Sequence, residues 1–471
     1  MSFAAIQSLL PQLILAFGAT GVLMLGAWFR NRRLWLTAGV LLALIAAMTA
    51  GFFEAPLAEV SGMYATSPYA RFCTVLWSLT IAATLLSSYR YADLHHFGGG
   101  EYTALLLFAA AGMSLLSAAT SLIGIFLGLE AFTLVLYILI AFNRTDNRGA
   151  EAGLKYLVFG ALATGFMAFG IALIYAGSGS FHFQEAFTQL RLEGALRPIG
   201  LAGWAMLLVA IGFKISLVPF HLWTPDVYQG APAPISGVLA TAAKGAVLAA
   251  FLPLLSLLGD SAVEIKHVLW LLAILTMLIG TFAALPQSNL KRMLAYSSVV
   301  HMGYLLIAVL LGGVAGGRVL LFYLVVYSFA TLGAFGVVTS FATEREELQD
   351  YDDLRGLGYL HPRRSIVLAT CMLSLAGIPP LAGFFAKFGL FQAALRHGYT
   401  GLAIIGIFAS LVSVYYYLRP IIVLFMQERS AYQLHPGTRS EYLLLAGCFI
   451  AILFLGIYPG PLLNLVTLVL P

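Results

Sequence analysis

Long apolar runs, separated by short polar clusters, extend from one end of the chain to the other. About fourteen of them are candidates to span a bilayer, near residues 5–29, 34–53, 72–88, 102–120, 122–142, 153–177, 198–228, 231–258, 268–285, 293–312, 319–341, 365–395, 399–426 and 442–469. A bilayer core needs roughly 20 residues of helix, and each run meets or approaches that length. Segments of alternating polarity, the mark of a membrane barrel, do not occur. The pattern therefore predicts an all-α polytopic membrane protein. The first run has no charged leader and no clear small-residue cleavage site, so it reads as a retained helix and not a removed signal peptide.

Two runs break the pattern. The stretch Gly212–Gly230, GFKISLVPFHLWTPDVYQG, carries a lysine, a histidine, two prolines and an aspartate inside apolar sequence. Such residues are tolerated at membrane depth only where protein or water covers them. Pro219 removes a backbone donor and frees a carbonyl in the preceding turn, which needs water or a side chain, so a wet pocket near Lys214 is expected. Pro379 and Pro380 make a second break, with Lys387 seven residues beyond Pro380. An internal repeat links the two breaks. Tyr156-Leu157-Val158, Ala163-Thr164 and Ala168-Phe169-Gly170 recur as Tyr323-Leu324-Val325, Ala330-Thr331 and Ala334-Phe335-Gly336, and a proline-broken run follows each copy. The copies lie five spans apart. An odd number reverses orientation, so the repeat is inverted, as in transporters whose broken helices form the site. The expected organisation is packing helices over 1–100, a first repeat over 101–260, an inverted second repeat over 261–430 and a last helix over 431–471. The loop Tyr89–Gly100 marks the first boundary.

Composition agrees with the membrane assignment. The chain of 471 residues is 61% hydrophobic and 10% charged, against roughly 25% charged for soluble domains. Loops after odd-numbered spans hold fifteen arginines and lysines (Arg30, Arg32, Arg33, Arg90, Arg144, Arg148, Lys291, Arg292, Arg345, Arg355, Arg363, Arg364, Arg419, Arg429 and Arg439), and those after even-numbered spans hold six (Arg71, Arg191, Arg197, Lys266, Arg318 and Arg396). Positive loops stay cytoplasmic, which puts both termini on the outer side. Three separate cysteines make no C-x-x-C pair, which speaks against iron–sulfur and structural zinc sites. No nucleotide-binding glycine loop occurs, and nothing suggests a nucleic-acid partner.

Candidate chemistry lies in the buried charges. Glu130, in FLGLEAFTLVLYILIAF, is the one carboxylate well inside an apolar run. Of six lysines against nineteen arginines, Lys214, Lys244 and Lys387 sit in apolar helices and Lys155 at the head of one; Lys266 and Lys291 read as ordinary loop lysines, and no arginine sits mid-span. Arginine stays charged in proteins, whereas a buried lysine can give up its proton. An opposite charge about 6 Å away in an effective dielectric of about 20 is worth roughly 2.8 kcal/mol, enough for Glu130 to decide whether Lys214 holds its proton. A static buried ion pair is the plainer alternative, though such pairs rarely stabilise on balance. Glu151 and Lys155 share a helix face, and Lys155 also fits a boundary lysine reaching for headgroups. His221 and His301 are possible relays at physiological pH, and Ser297, Ser298, Tyr304 and the run Tyr415-Tyr416-Tyr417 are candidates to order water. Ordinary helix–helix hydrogen bonds account for the histidines about as well, and for the serines and tyrosines better.

The run KISLVPFHLWTPDVYQGAPAPIS at 214–236 resembles the antiporter-like membrane subunits of respiratory complex I, and its HLWTPDVYQGAPAP form is similar to the subunit N family of bacterial NADH–quinone oxidoreductase. Further matches are LKYLVFGA at 154–161, SNLKRMLAYSSVVHMGYLL at 288–306, LSLAGIPPLAGFFAKF at 373–388 and YYYLR at 415–419. The resemblance covers nearly the whole chain. It implies fourteen helices with two inverted five-helix repeats, and proton pumping driven from a distance by NADH oxidation and quinone reduction. It places the family's key residues on Glu130, Lys214, Lys244 and Lys387, with Lys155, His221 and His301 also at family positions. It further implies no cofactor or metal in this chain, with NADH, FMN, iron–sulfur clusters and quinone in partner subunits. Sister antiporter-like subunits, other membrane subunits and lipid are the implied neighbours, in a bacterial inner membrane. Two other function classes remain open: a stand-alone cation/proton antiporter, against which the single deep carboxylate weighs, and a non-transporting scaffold, which leaves four buried ionisable groups unexplained.

Overall fold

The computed structural model describes residues 3–29, 31–53, 59–95, 99–187, 197–257, 263–344, 347–428 and 436–470. The expected loop arginines Arg30, Arg191, Arg345 and Arg429 lie outside this set. Among the described residues, twelve helices are long and apolar enough to cross a membrane. In chain order the helices of eight or more residues are α1 (Leu10–Gly26), α2 (Arg32–Phe52), α3 (Pro68–Leu94), α4 (Gly100–Ser117), α5 (Leu122–Ile140), α6 (Asn147–Ser178), α7 (Arg197–Lys214), the short α8 (Trp223–Gly230) and α9 (Ala233–Ser256). There follow α10 (Val263–Ala284), α11 (Leu290–Leu311), α12 (Gly313–Ser340), α13 (Pro362–Ala376), α14 (Ala382–Arg396), α15 (Thr400–Met426), α16 (Arg439–Ile457) and α17 (Gly460–Leu468). The other two of the fourteen expected spans are α1, with 17 residues, and the broken pair α13–α14. A two-stranded hairpin, Glu59–Val60 with Tyr64–Ala65, lies in the loop before α3.

Each long helix satisfies its own backbone, as a lipid environment requires, and polar residues serve several first turns. Ser121 accepts from the Gly124 amide at the start of α5 at 3.0 Å, Asn289 accepts from Arg292 at the start of α11 at 3.1 Å, and Thr438 with Glu441 forms a capping box at α16. The five spans α4, α5, α6, α7/α8 and α9 recur in order as α10, α11, α12, α13/α14 and α15, each set with one broken span. The helices α9, α11 and α12 are almost wholly enclosed, whereas α6, α10, α15 and α16 turn much of their surface outward. Small residues let backbones meet: a Cβ built on Gly170 of α6 would stand 2.7 Å from the Gly203 carbonyl of α7.

Some boundaries differ from the sequence reading. Helix α3 runs on to Leu94, so the first half of the loop expected over Tyr89–Gly100 is helix, and Arg90 is a buried helical residue rather than a loop one. The last apolar run is two helices, divided at Tyr458 and Pro459. The expected divisions near residues 260 and 430 fall at 258–262 and 429–435, outside the described residues. Within α9, residues Leu239–Ala243 form one π-helical turn directly before Lys244. Such turns carry one extra residue and often occur at functional sites.

Candidate proton-path site

Lys214 is the last residue of α7. After it the chain leaves the helix through Ser216, which has a positive φ of 62°, and a cis peptide at Pro219. Protein groups serve carbonyls at this helix end. Phe213 O accepts from the Trp223 indole at 3.0 Å, and Gly212 O accepts from the Leu217 amide at 2.7 Å. The Val218 amide donates to Thr276 Oγ1 at 3.0 Å, and the Thr224 hydroxyl donates to Ser216 Oγ at 2.7 Å. The loop is thus tied to α8 and α10.

The Lys214 ammonium lies 3.7 Å from Glu130 Oε1 and 3.4 Å from the Tyr137 hydroxyl, both on α5. Thr164 of α6 donates to the same Glu130 oxygen at 2.8 Å. Lys214's side chain is 2% exposed and that of Glu130 17%, so the charges are held away from water at close range. Beyond this pair the contacts are aromatic. Tyr137 packs on Tyr156, Tyr156 on Phe213 and Trp223, and Trp223 on Tyr228. Lys244 lies on the far side of this layer, its Nζ 5.8 Å from the Trp223 ring centre and 5.1 Å from that of Tyr228. It donates to Ser298 Oγ of α11 at 2.8 Å.

One turn along α11, His301 Nδ1 lies 2.7 Å from the Tyr323 hydroxyl of α12 and its Nε2 3.0 Å from the Tyr417 hydroxyl of α15. Tyr417 also hydrogen-bonds to Ser297. His301, Tyr323, Tyr327 and Ser374 line a cavity of about 10 Å³ together with Lys387, space for roughly one water. The Lys387 ammonium donates to the Ala376 carbonyl at 3.0 Å and to Ser410 Oγ at 2.9 Å, and lies 5.4 Å from the Tyr304 ring centre.

The two breaks share an electrostatic design. The C-terminal end of a half-helix carries the negative end of its dipole. Lys214 ends α7, and Lys387 reaches back across its break to cap the last carbonyl of α13. Pro379–Pro380 is the second cis peptide. Close packing fixes this break: a Cβ on Gly383 would stand 1.8 Å from Ser374 O, and Gly377 has φ +87°. The helix equivalent to α5 in the second repeat is α11, which brings His301 to Lys387 as α5 brings Glu130 to Lys214.

Glu130, Lys214, Lys244, His301 and Lys387 therefore lie along one succession of helices. The other candidates lie to its side. Lys155 pairs with Glu151 at 2.7 Å and with Asp226 at 3.0 Å, and Asp226 with Arg292 at 2.6 Å, in a half-exposed network at the head of α6. His221 is buried in the loop after Pro219, its ring 6.4 Å from that of Tyr296. Tyr416 is buried against Tyr417, whereas Tyr415 is 62% exposed. The hydroxyls of Tyr228 and Tyr416 and His221 Nδ1 make no protein hydrogen bond of ordinary geometry, and buried polar groups of this kind are commonly served by ordered water.

Two buried charge clusters lie off this succession. Lys291, expected to be a loop lysine, is a fully buried residue of α11 paired with Glu347 at 2.5 Å. Glu441 of α16 lies 3.5 Å from Arg90 of α3 and 3.9 Å from Arg364 of α13. Arg90 and Arg364 also donate to the Ser340 carbonyl, at 2.9 and 3.1 Å. The sequence signals for both were weak: Glu347 is 56 residues from Lys291, and Glu441 reads as a capping residue.

Residues 119–413 match the family model described as NADH:quinone oxidoreductase/Mrp antiporter, TM. The NADH-quinone oxidoreductase subunit N of Syntrophotalea carbinolica is 48% identical over 100% of both chains. A chain of respiratory complex I from Thermus thermophilus superposes with a TM-score of 0.83 at 33% identity, over 96% of this chain and 98% of that one. A chain of the Mrp complex from Dietzia shares the fold, with a TM-score of 0.84 at 20% identity over 100% of this chain and 97% of that one.

Proposed function

Since the chain belongs to the subunit N family of NADH–quinone oxidoreductase, a multi-span membrane component of a respiratory enzyme complex, we propose that it carries protons across the membrane along the succession Glu130, Lys214, Lys244, His301 and Lys387. The observation that carries this reading is the pair of broken helices, each with a buried lysine at the C-terminal end of its first half and an ionisable partner on the neighbouring helix. In this mechanism Glu130 controls the charge of Lys214. The proton crosses the aromatic layer to Lys244 through water beside Tyr228. Ser298 and His301 relay it along α11, and Lys387 delivers it at the second break. The carboxylate at 3.7 Å favours the charged lysine; drawing Glu130 away favours release.

Redox energy reaches the chain from partner subunits, which carry NADH, FMN, iron–sulfur clusters and quinone. Sister antiporter-like subunits flank it in a bacterial inner membrane, with both termini outside. The repeats span 101–260 and 261–430. Lys155, His221 and Tyr416 act as side branches that hold water.

Replacing Lys214 or Lys387 by alanine in the assembled complex tests the path. Redox-coupled proton uptake in membrane vesicles should fall strongly. Wild-type uptake in a correctly assembled variant would refute the path.

A further inference from the structure

Glu347, in the segment after α12, joins the helices whose side chains meet at Lys244. Its Oε2 accepts from Lys291 Nζ at 2.5 Å, and its Oε1 accepts from the Ala233 amide at 2.8 Å and from the Tyr91 hydroxyl. Lys291 Nζ donates in addition to the Ala231 carbonyl at 2.6 Å. The Lys291 side chain is 1% exposed and that of Glu347 9%. The segment carrying Glu347 is itself held in place. The Leu290 amide donates to Gln349 O at 2.7 Å, the Tyr351 amide to Ser288 O at 2.9 Å, and Asn289 Nδ2 to Asp350 Oδ1 at 2.7 Å.

Ala233 is the first residue of α9 and Lys291 the second of α11. The carboxylate thus serves an amide that the helix itself leaves unpaired, at the positive end of the α9 dipole. Deeper in, the same two helices meet again where Lys244 donates to Ser298 at 2.8 Å. At a rise of about 1.5 Å per residue, that contact is roughly 16 Å along α9 from Ala233 and roughly 10 Å along α11 from Lys291. A slip of about 2 Å across the line of this bond would lengthen it to roughly 3.4 Å, beyond the usual range.

We propose that Glu347 is a positioning residue: by holding the start of α9 to the segment bound to α11, it fixes the axial register of the two helices and so holds Lys244 on Ser298. The proposal rests on the reading of Lys244 as part of the proton path. It differs from a second reading of the same carboxylate, as a proton carrier. Glu347 borders a polar cavity of about 470 Å³ that Tyr91, Asp146, Arg148, Glu344 and Asp350 also line, so water has access to it.

Two variants separate length from charge, both assayed as the assembled complex in liposomes by protons moved per electron. Glu347→Asp keeps the charge but draws the carboxylate back by one carbon–carbon bond, about 1.5 Å, too far to reach the Ala233 amide. Its ratio should fall about threefold, in keeping with one lost hydrogen bond, while NADH oxidation continues. The double variant Glu347→Gln with Lys291→Met keeps an oxygen for Ala233 and Tyr91 and leaves no buried charge unpaired. It should pump within about twofold of the wild type, with an unchanged pH profile. A wild-type ratio in Glu347→Asp overturns the proposal, as does lost pumping or a moved pH profile in the double variant. Lys244→Ala is measured alongside: pumping there at the wild-type ratio would dispose of the path reading itself, whatever the Glu347 variants do.

Discussion

Glu130→Gln removes the negative charge beside Lys214 and changes little else. At 3.7 Å and an effective dielectric of about 20, the attraction is about 4 kcal/mol. At about 1.4 kcal/mol per factor of ten, the balance between charged and neutral Lys214 moves by about a thousandfold. The glutamine oxygen still accepts from Thr164, so packing is retained. Glu130→Asp supplies the graded case. It keeps the charge but withdraws it by about 1.5 Å, which leaves an attraction of about 3 kcal/mol. The assay is proton uptake per NADH oxidised in liposomes holding the assembled complex, measured from pH 6 to 8.5. Glu130→Gln should pump least, Glu130→Asp should lie between it and the wild type, and proton loading in the glutamine variant should persist only toward the acid end. A glutamine variant with the wild-type ratio and pH profile would show that the pair is static packing.

Two further predictions follow from buried contacts. Ser298→Ala removes the hydroxyl 2.8 Å from Lys244; a hydrogen bond to a charged group is worth about 1.5–3 kcal/mol, so proton flux should fall about tenfold, with Ser298→Thr restoring most of it. Glu441→Ala leaves Arg90 and Arg364 buried without their carboxylate, at a cost of about 3–5 kcal/mol. The effect should appear as less assembled complex and a lower melting temperature, while the complex that does assemble pumps normally.

The span pattern, the repeat and the lysines at the breaks were legible because each is a local departure from an apolar background. Lys214 and Lys387 announce themselves as charges beside prolines, and Glu130 as an acid amid leucines and phenylalanines. Apart from the approach of Glu130 to Lys214, what these residues touch was not legible. That Lys387 caps the α13 carbonyl depends on how the chain returns after Pro380. That Trp223 serves Phe213 O depends on α8 folding back over the break. Lys291 looked like a loop residue because it stands at a helix start, and only the fold brings Glu347 to it. Arg90 read as a loop charge because the polar sequence at the end of α3 hid its last helical turns. The aromatic layer between Lys214 and Lys244 comes from α5, α6, α7 and α8 together, so no single stretch of sequence displays it.

The π-helical turn at Leu239–Ala243 bears on chain length more than on residue identity. Its five residues are all buried, so their size is constrained by packing. The extra residue is absorbed in the bulge, and deleting one of the five would let regular α-helix close with Lys244 still facing Ser298. A deletion elsewhere in the stretch of α9 before Lys244 would swing everything beyond it by about 100° and turn Lys244 away. A comparison of related chains should therefore place any one-residue gap at these five positions and not elsewhere before Lys244, a tolerance recorded in alignment gaps and invisible to residue conservation.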